Sequence, residues 1–462
     1  MSRTTTILPI LSLAIGLAAG AAACDPRAFS DQADTTWVVS STQPGNMESD
    51  DFVVALAFAA TDSTDGTRVM VAGNSPASVG VLNFTSTGSK SSNGVRATDI
   101  QPLMSNVNLA ASRPFAGSAT VIPTNPAGVG TIAIGFPEEE ATTGNDTGLI
   151  MIADATNLAI LRPIQPLPGV IEQGSALAFI DAGLESAVPD LVTIGRNAII
   201  VYPDVIGGVS PFPDPKLCTV GREAAYAVAG ADVDTTVAGN ELLIMRGDVN
   251  LAAGAAASDI VVTSGVDVTA ADDAGDTGRC FDDTVVTPRA EIGTLVSPNN
   301  EFDFGLEIIT GDFDGSGAVD IAASAPSSGR VYVWLDPDFG TAAPGAPDVT
   351  LEPASGAIGF ATAIAAGDLD GDGDDELAVG APGTEVDGTT GAGSAFVYEL
   401  SGTSFSLLAT LHDVDPEGDQ QFGRDVLMTP FDGGPGHALA VATKGELFTY
   451  FRVAANYPDL RD

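Results

Sequence analysis

Positive charge is scarce in this chain: 462 residues hold 18 Lys and Arg against 61 Asp and Glu, a formal net charge of −43. Nucleic acid and anionic membrane surfaces repel such a polymer, so neither is expected as a partner. Histidine is almost absent, with His412 and His437 the only two. Neither belongs to an HExxH or a Ser/His/Asp arrangement, so both read as surface or turn residues and no common hydrolytic constellation is signalled. Aromatic residues make up 6%, and Trp37 and Trp334 are the only tryptophans, which argues against a sugar-stacking lectin site. Paired carboxylates for glycoside hydrolysis do not stand out from so acidic a background.

Cysteine is equally sparse, with Cys24, Cys218 and Cys280 alone. No CxxC or Cys/His spacing suggests zinc or thiol redox chemistry. Residues 1–23 read as a signal peptide: Arg3 supplies the positive start, Ile7 to Ala19 form an apolar run too short to span a bilayer comfortably, and Ala21-Ala22-Ala23 precede Cys24. Small residues before a cysteine match a bacterial lipobox, in which Cys24 is acylated and becomes the first mature residue. The alternative is a plain signal-peptidase site with Cys24 incidental. Acyl chains would tether the protein through about 0.8 kcal/mol per buried methylene. Asp25 follows the cysteine, and sorting rules that read this position differ between lineages, so the final membrane stays open. Residues 24–35 then form a lipidated tether, and no later apolar run is long enough to span. In an oxidising compartment Cys218 and Cys280 are expected to form a disulfide, with two separate buried thiols as the alternative.

What the chain has in quantity is 53 Gly, 29 Pro and 44% apolar residues, a composition of many short strands and turns. The expected class is all-β. The acidity is spread in short turns along the length, which fits a solvated folded surface.

Self-similarity organises the rest. Phe304-Gly305 is followed by Gly311-Asp312-Phe313-Asp314-Gly315-Ser316-Gly317-Ala318-Val319-Asp320 and the strand IAASAP. Phe360-Ala361 is followed by Gly367-Asp368-Leu369-Asp370-Gly371-Asp372-Gly373-Asp374-Asp375-Glu376 and LAVGAP. In both, the Phe lies eight residues before the first Asp and the last acidic residue eight after it. Weaker copies of the strand begin at Arg68, Thr131, Asp190, Asp259 and Ala438, giving seven anchors spaced 63, 59, 69, 61, 56 and 62 residues apart. A period near 60 fits one four-stranded blade with generous loops. The last copy has little chain after its third strand, and the unused segment Thr36–Ser40 is expected to complete it, which would also hide exposed strand edges. Residues 36–462 are thus expected to be one seven-bladed β-propeller.

The pattern FG, then GDxDGDGxxDLxVGAP, resembles the FG-GAP repeats of integrin α subunits and of many bacterial envelope proteins. The match is full in the fifth and sixth copies and degenerate elsewhere. The resemblance implies a seven-bladed propeller with cation loops on one face.

Asp312, Asp314, Ser316, the carbonyl of Ala318 and Asp320 occupy positions 1, 3, 5, 7 and 9 of one loop, and Asp368, Asp370, Asp372, the carbonyl of Asp374 and Glu376 repeat the spacing. Hard oxygen donors at alternate positions suit Ca2+, with 6–8 ligands at about 2.3–2.6 Å. An EF-hand would need Glu at position 12 and flanking helices, which neither loop has. Asp248, Asn250 and Asp259 form a third, weaker candidate set in a longer loop. Arg246-Gly247-Asp248 spells a tripeptide that integrins bind, but Gly247-Asp248 reads more simply as that copy's own GD. The expected function is a lipid-anchored, calcium-binding, non-enzymatic adhesion or interaction module of the cell envelope, monomeric, with an extracytoplasmic protein or glycan as partner. The alternatives are a calcium-dependent hydrolase or lyase in the propeller funnel and a purely structural envelope protein.

Overall fold

The computed structural model describes residues 291–340 and 344–429 without interruption. Outside them it describes 35–38, 57–59, 68–74, 77–84, 90–91, 119–122, 131–137, 147–154, 160–180, 190–202, 216–219, 224–234, 236, 240–248, 256–264, 437–444 and 446–450. Cys24 and Cys280 lie outside the described residues, and Cys218 is placed only as a backbone position, opposite Ile199 in a sheet. Among the described residues no helix is long and apolar enough to cross a membrane.

The chain is all-β, and its described strands form antiparallel sheets of four. β1 (Thr35–Val38) stands apart in sequence from the first complete sheet, which is β2 (Ala57–Ala59), β3 (Arg68–Asn74), β4 (Ala77–Phe84) and β5 (Lys90–Ser91). The second is β6 (Ala119–Ile122), β7 (Thr131–Phe136), β8 (Leu149–Asp154) and β9 (Ile160–Ile164). The third is β10 (Ala176–Ile180), β11 (Asp190–Gly195), β12 (Ala198–Tyr202) and β13 (Lys216–Thr219). The fourth is β14 (Ala224–Ala231), β15 (Glu241–Gly247), β16 (Asp259–Ser264) and β17 (Glu291–Val296). The fifth is β18 (Ile308–Gly311), β19 (Asp320–Ala325), β20 (Arg330–Trp334) and β21 (Val349–Leu351). The sixth is β22 (Ile364–Gly367), β23 (Glu376–Ala381), β24 (Ser394–Ser401) and β25 (Ser404–Leu411). In the seventh, β26 (Asp425–Thr429), β27 (Ala438–Ala442) and β28 (Glu446–Tyr450) are joined by β1, with Thr35 opposite Thr449 and Val38 opposite Glu446.

The sheets follow one another in space as in sequence, first strand beside first strand, from β2 against β6 through to β22 against β26. Apolar side chains fill the gaps between neighbours. Phe304, Tyr332 and Trp334 of the fifth sheet pack with Met245 and Ile260 of the fourth, and Phe360, Phe396 and Tyr398 of the sixth pack with Val331 and Val333 of the fifth. A strand with a sheet on either face must be largely apolar on both, and so β19 and β23 are buried at every residue and read, after the acidic residue that opens each, as mostly apolar runs in which Ser324 is the polar exception. The outermost β25 is largely exposed and carries Ser and Thr between its apolar residues. Short side chains in β23 serve a second purpose. A Cβ at Gly380 would overlap the carbonyl oxygen of Gly423, and one at Gly135 would overlap that of Gly174 in the same way. The glycine of one repeat's strand thus lies against the glycine that follows the Phe position in the next.

Six of the seven sequence anchors open the second strand of a sheet: Arg68, Thr131, Asp190, Asp320, Glu376 and Ala438. The seventh differs. Asp259 opens β16, the third strand of its sheet, and the second strand opens at Glu241. The apolar run IVVTS imitates the anchor strand, whereas the loop before Glu241 is one residue longer than the template, which hid it.

Candidate metal centres

Each acidic loop joins the first and second strands of its sheet, and an apolar residue pins its start. Phe313 and Leu369 are wholly buried, so the aspartates on either side turn outward. Four glycines carry the backbone through left-handed conformations between them: Gly315 at φ 68°, Gly317 at 84°, Gly371 at 82° and Gly373 at 106°. The anchor carboxylate closes the loop from below. Phe313 N–H donates to Asp320 Oδ2 (2.7 Å), and Leu369 N–H donates to Glu376 Oε2 (2.6 Å).

This geometry gathers Asp312, Asp314 and Asp320 into one group and Asp368, Asp370 and Glu376 into another, with one carboxylate oxygen of each member within 4.8 Å of the others. Positions 1, 3 and 9 therefore converge in both loops. The remaining expected ligands are held differently. Ser316 Oγ donates to Asp336 Oδ1 (2.6 Å), and Asp372 Oδ1 accepts the Asp374 N–H (3.1 Å). Ala318 is exposed and donates its N–H to Ser316 Oγ (3.1 Å), while the carboxylate of Asp374 rests on Gly315 of the neighbouring loop.

Within each loop, backbone N–H groups orient the carboxylates. Asp312 Oδ2 accepts from Gly317 (2.8 Å) and Asp314 Oδ1 from Ser316 (3.0 Å). Asp368 accepts from Gly371 on Oδ1 (2.5 Å) and from Gly373 on Oδ2 (3.2 Å), and Asp370 Oδ1 accepts from Asp372 (3.1 Å). Asp312 Oδ1 is buried with no hydrogen-bond partner. Leaving a charged acceptor dry and unpaired costs more than a hydrogen bond returns, so this oxygen fits a site that a cation completes. The donor set is all oxygen, which suits a hard divalent ion.

Electrostatics point the same way. Burial, then the nearby Asp370, Asp368 and Asp372 carboxylates, push Glu376 up to about 9 against the one opposing hydrogen bond it accepts, from the Leu369 N–H. Burial and Asp372 push Asp370 up to about 6, and burial followed by Asp314 and Asp336 pushes Asp320 up to about 6. Asp368 and Asp374 are also raised, by burial first and by adjacent carboxylates. Each group holds more negative charge than its surroundings favour.

The third candidate set is dispersed. Asp248 follows β15, with its carbonyl accepting from Tyr226 Oη (2.7 Å), and Asn250 lies outside the described residues. Both oxygens of Asp259 accept from Arg246, Nε to Oδ1 at 3.0 Å and NH2 to Oδ2 at 2.7 Å. Arg246 and Gly247 are thus strand residues, with the guanidinium occupied across the β15–β16 hairpin. The loop of the fourth sheet that repeats the fifth is instead Asp232, Val233, Asp234, Thr236 and Glu241. Val233 is buried and its N–H donates to Glu241 Oε2 (3.0 Å), as does that of Asp234 (3.0 Å). Alternating acidic and polar residues around one apolar position were the available signal. Among the described residues no group of three ligands forms there.

Two further residues reach the fifth loop from outside it. Asp336, after β20, donates its N–H to Asp320 Oδ1 (2.8 Å). Asp375, in the sixth loop, accepts the Asp312 N–H on Oδ2 (2.9 Å) and donates its own N–H to the Asp312 carbonyl (2.7 Å). At the next junction His437, the residue before β27, donates its N–H to the Asp368 carbonyl (2.7 Å).

The FG-GAP repeat family matches residues 360–398, which contain the second acidic loop. No curated protein matches the chain in sequence. Among solved structures, a chain of "BBS1N in complex with ARL6DN, soaked with lead" is 10% identical with TM-score 0.50, covering 90% of this chain and 95% of that one. A chain of "Crystal Structure of Mitotic Checkpoint Complex" is 12% identical with TM-score 0.47, covering 97% and 96%. These neighbours are WD40-like propellers.

Proposed function

Because residues 360–398 are an FG-GAP repeat, we propose that this chain is a seven-bladed propeller that binds calcium in two loops and acts as a non-enzymatic interaction module at the bacterial cell envelope. The seven sheets would be the blades, and β1 on β28 would tie the start of the chain to its end, closing the ring. Export through residues 1–23 and acylation of Cys24 would tether the domain by the segment 24–35, and Cys218 and Cys280 would form a disulfide in that compartment. Its partner would be an extracytoplasmic protein or glycan engaged by surface loops that the bound ions stiffen.

The observation that carries the calcium reading is the buried, unpartnered Asp312 Oδ1 inside a triad of carboxylates that recurs 56 residues later at Asp368, Asp370 and Glu376. Asp312, Asp314 and Asp320 would hold one ion and Asp368, Asp370 and Glu376 the other, with backbone carbonyls and water filling the remaining positions. Binding to the folded loops alone stabilises the fold by mass action, by about 2.7 kcal/mol at a hundredfold excess over Kd. Calorimetric melting of the full chain with calcium and with a chelator tests this. A clear drop in melting temperature on chelation is expected, and identical melting curves would overturn the assignment.

A further inference from the structure

The two acidic loops touch. Asp375 sits one residue before the anchor of the sixth loop, yet it brackets Asp312 of the fifth, giving one hydrogen bond to its carbonyl (2.7 Å) and taking one from its N–H (2.9 Å). The preceding residue, Asp374, lays its carboxylate on Gly315, where a side chain of any size would collide with it. Asp374 feels Asp312 and Asp314 of one loop as well as Asp368 and Asp372 of its own. The position occupied by Asp375 is occupied at the next junction by His437, which keeps the main-chain bond to Asp368.

We infer that Asp375 is a positioning residue for the fifth-loop cation site, and that the two loops therefore bind calcium with positive cooperativity. This rests on the calcium reading above. An ion in the sixth loop fixes the run Asp374 to Glu376, because the expected ligands at its seventh and ninth positions flank Asp375. Asp375 then holds the backbone of Asp312 on both sides and aims its carboxylate. In the other direction, an ion in the fifth loop neutralises Asp312 and Asp314 and removes their repulsion of Asp374. That fixes the seventh position of the sixth loop. The coupling is reciprocal, as linkage requires.

Calcium titration of the full chain tests it with Asp375→Ala, Asp375→Asn, and the two loop knock-outs Asp368→Ala/Asp370→Ala and Asp312→Ala/Asp314→Ala. The wild-type chain is expected to bind two ions with a Hill coefficient above 1. Asp375→Ala is expected to bind two ions without cooperativity, and Asp375→Asn, which keeps an acceptor oxygen, to restore it. Asp368→Ala/Asp370→Ala is expected to weaken the fifth loop by about fivefold or more, whereas Asp312→Ala/Asp314→Ala, which removes the same repulsion of Asp374 that an ion would remove, is expected to leave the sixth loop at or above its wild-type affinity. Two ions bound independently by the wild-type chain, or an Asp368→Ala/Asp370→Ala chain whose fifth loop binds with unchanged affinity, would overturn the coupling and leave the calcium assignment standing. No binding by the wild-type chain would remove both.

Discussion

Gly380 of the sixth sheet lies directly against Gly423 of the seventh, so close that a Cβ on the first would overlap the carbonyl oxygen of the second. Gly423 adopts φ 81°, and its N–H donates to the Ala442 carbonyl (3.1 Å) of its own sheet. One glycine permits the approach and the other the turn. The pair explains why this repeat places glycine both after the Phe and within the strand LAVGAP.

Gly380→Ala is accordingly expected to destabilise the chain by about 1–3 kcal/mol, the cost of overpacking a site whose opposing atom is backbone. Denaturant unfolding measures it. The substitution leaves both acidic loops intact, so calcium stoichiometry is expected to be unchanged.

Metal-free stability is expected to fall as pH rises. Asp320, Asp370 and Glu376 are raised from ordinary carboxylate values to about 6, 6 and 9. The folded state therefore binds these protons more tightly than the unfolded chain. Their contribution is full below the ordinary carboxylate range and is lost as pH climbs through about 6 and then about 9. In chelator, the melting temperature is expected to drop between pH 5 and 9, and saturating calcium is expected to abolish most of that drop because the cation takes the place of the protons. A metal-free melting temperature that stays level or rises over this interval would contradict the crowding of charge in the two loops.

The Arg246–Asp259 pair separates a structural carboxylate from a cation ligand. Both side chains are mostly covered, at 16% and 25% exposure. Arg246→Ala is expected to cost about 1–2 kcal/mol, the range of a charge-assisted bond discounted for partial solvent screening, with calcium binding unaltered. Gain of an additional bound ion in this variant, once Arg246 no longer occupies the carboxylate, would return Asp259 to the list of ligands.

Much of the architecture is legible in the sequence because the repeat is local. Strands such as IAASA and LAVGA are marked by their runs of small and apolar residues, and the loops before them by alternating Asp and Gly. The fourth repeat shows the limit. DIVVTS has the composition of an anchor strand, but third strands sandwiched between sheets have it too, and only hydrogen bonding from Val233 to Glu241 reveals the true register. The third sheet carries Gln173 where others carry the Phe, so that marker is silent there, although Gln173 is equally buried. Asp336 and Asp375 were illegible for a different reason. Both act on a loop to which they do not belong, and no spacing within one repeat encodes a contact made between strands or between sheets.

Calcium titration of the full chain by isothermal calorimetry, alongside the Asp368→Ala/Asp370→Ala variant, tests the central claim most directly. Two ions per wild-type chain and one in the variant are predicted. A wild-type chain that takes up no calcium, or a variant that still binds two ions, would contradict the account.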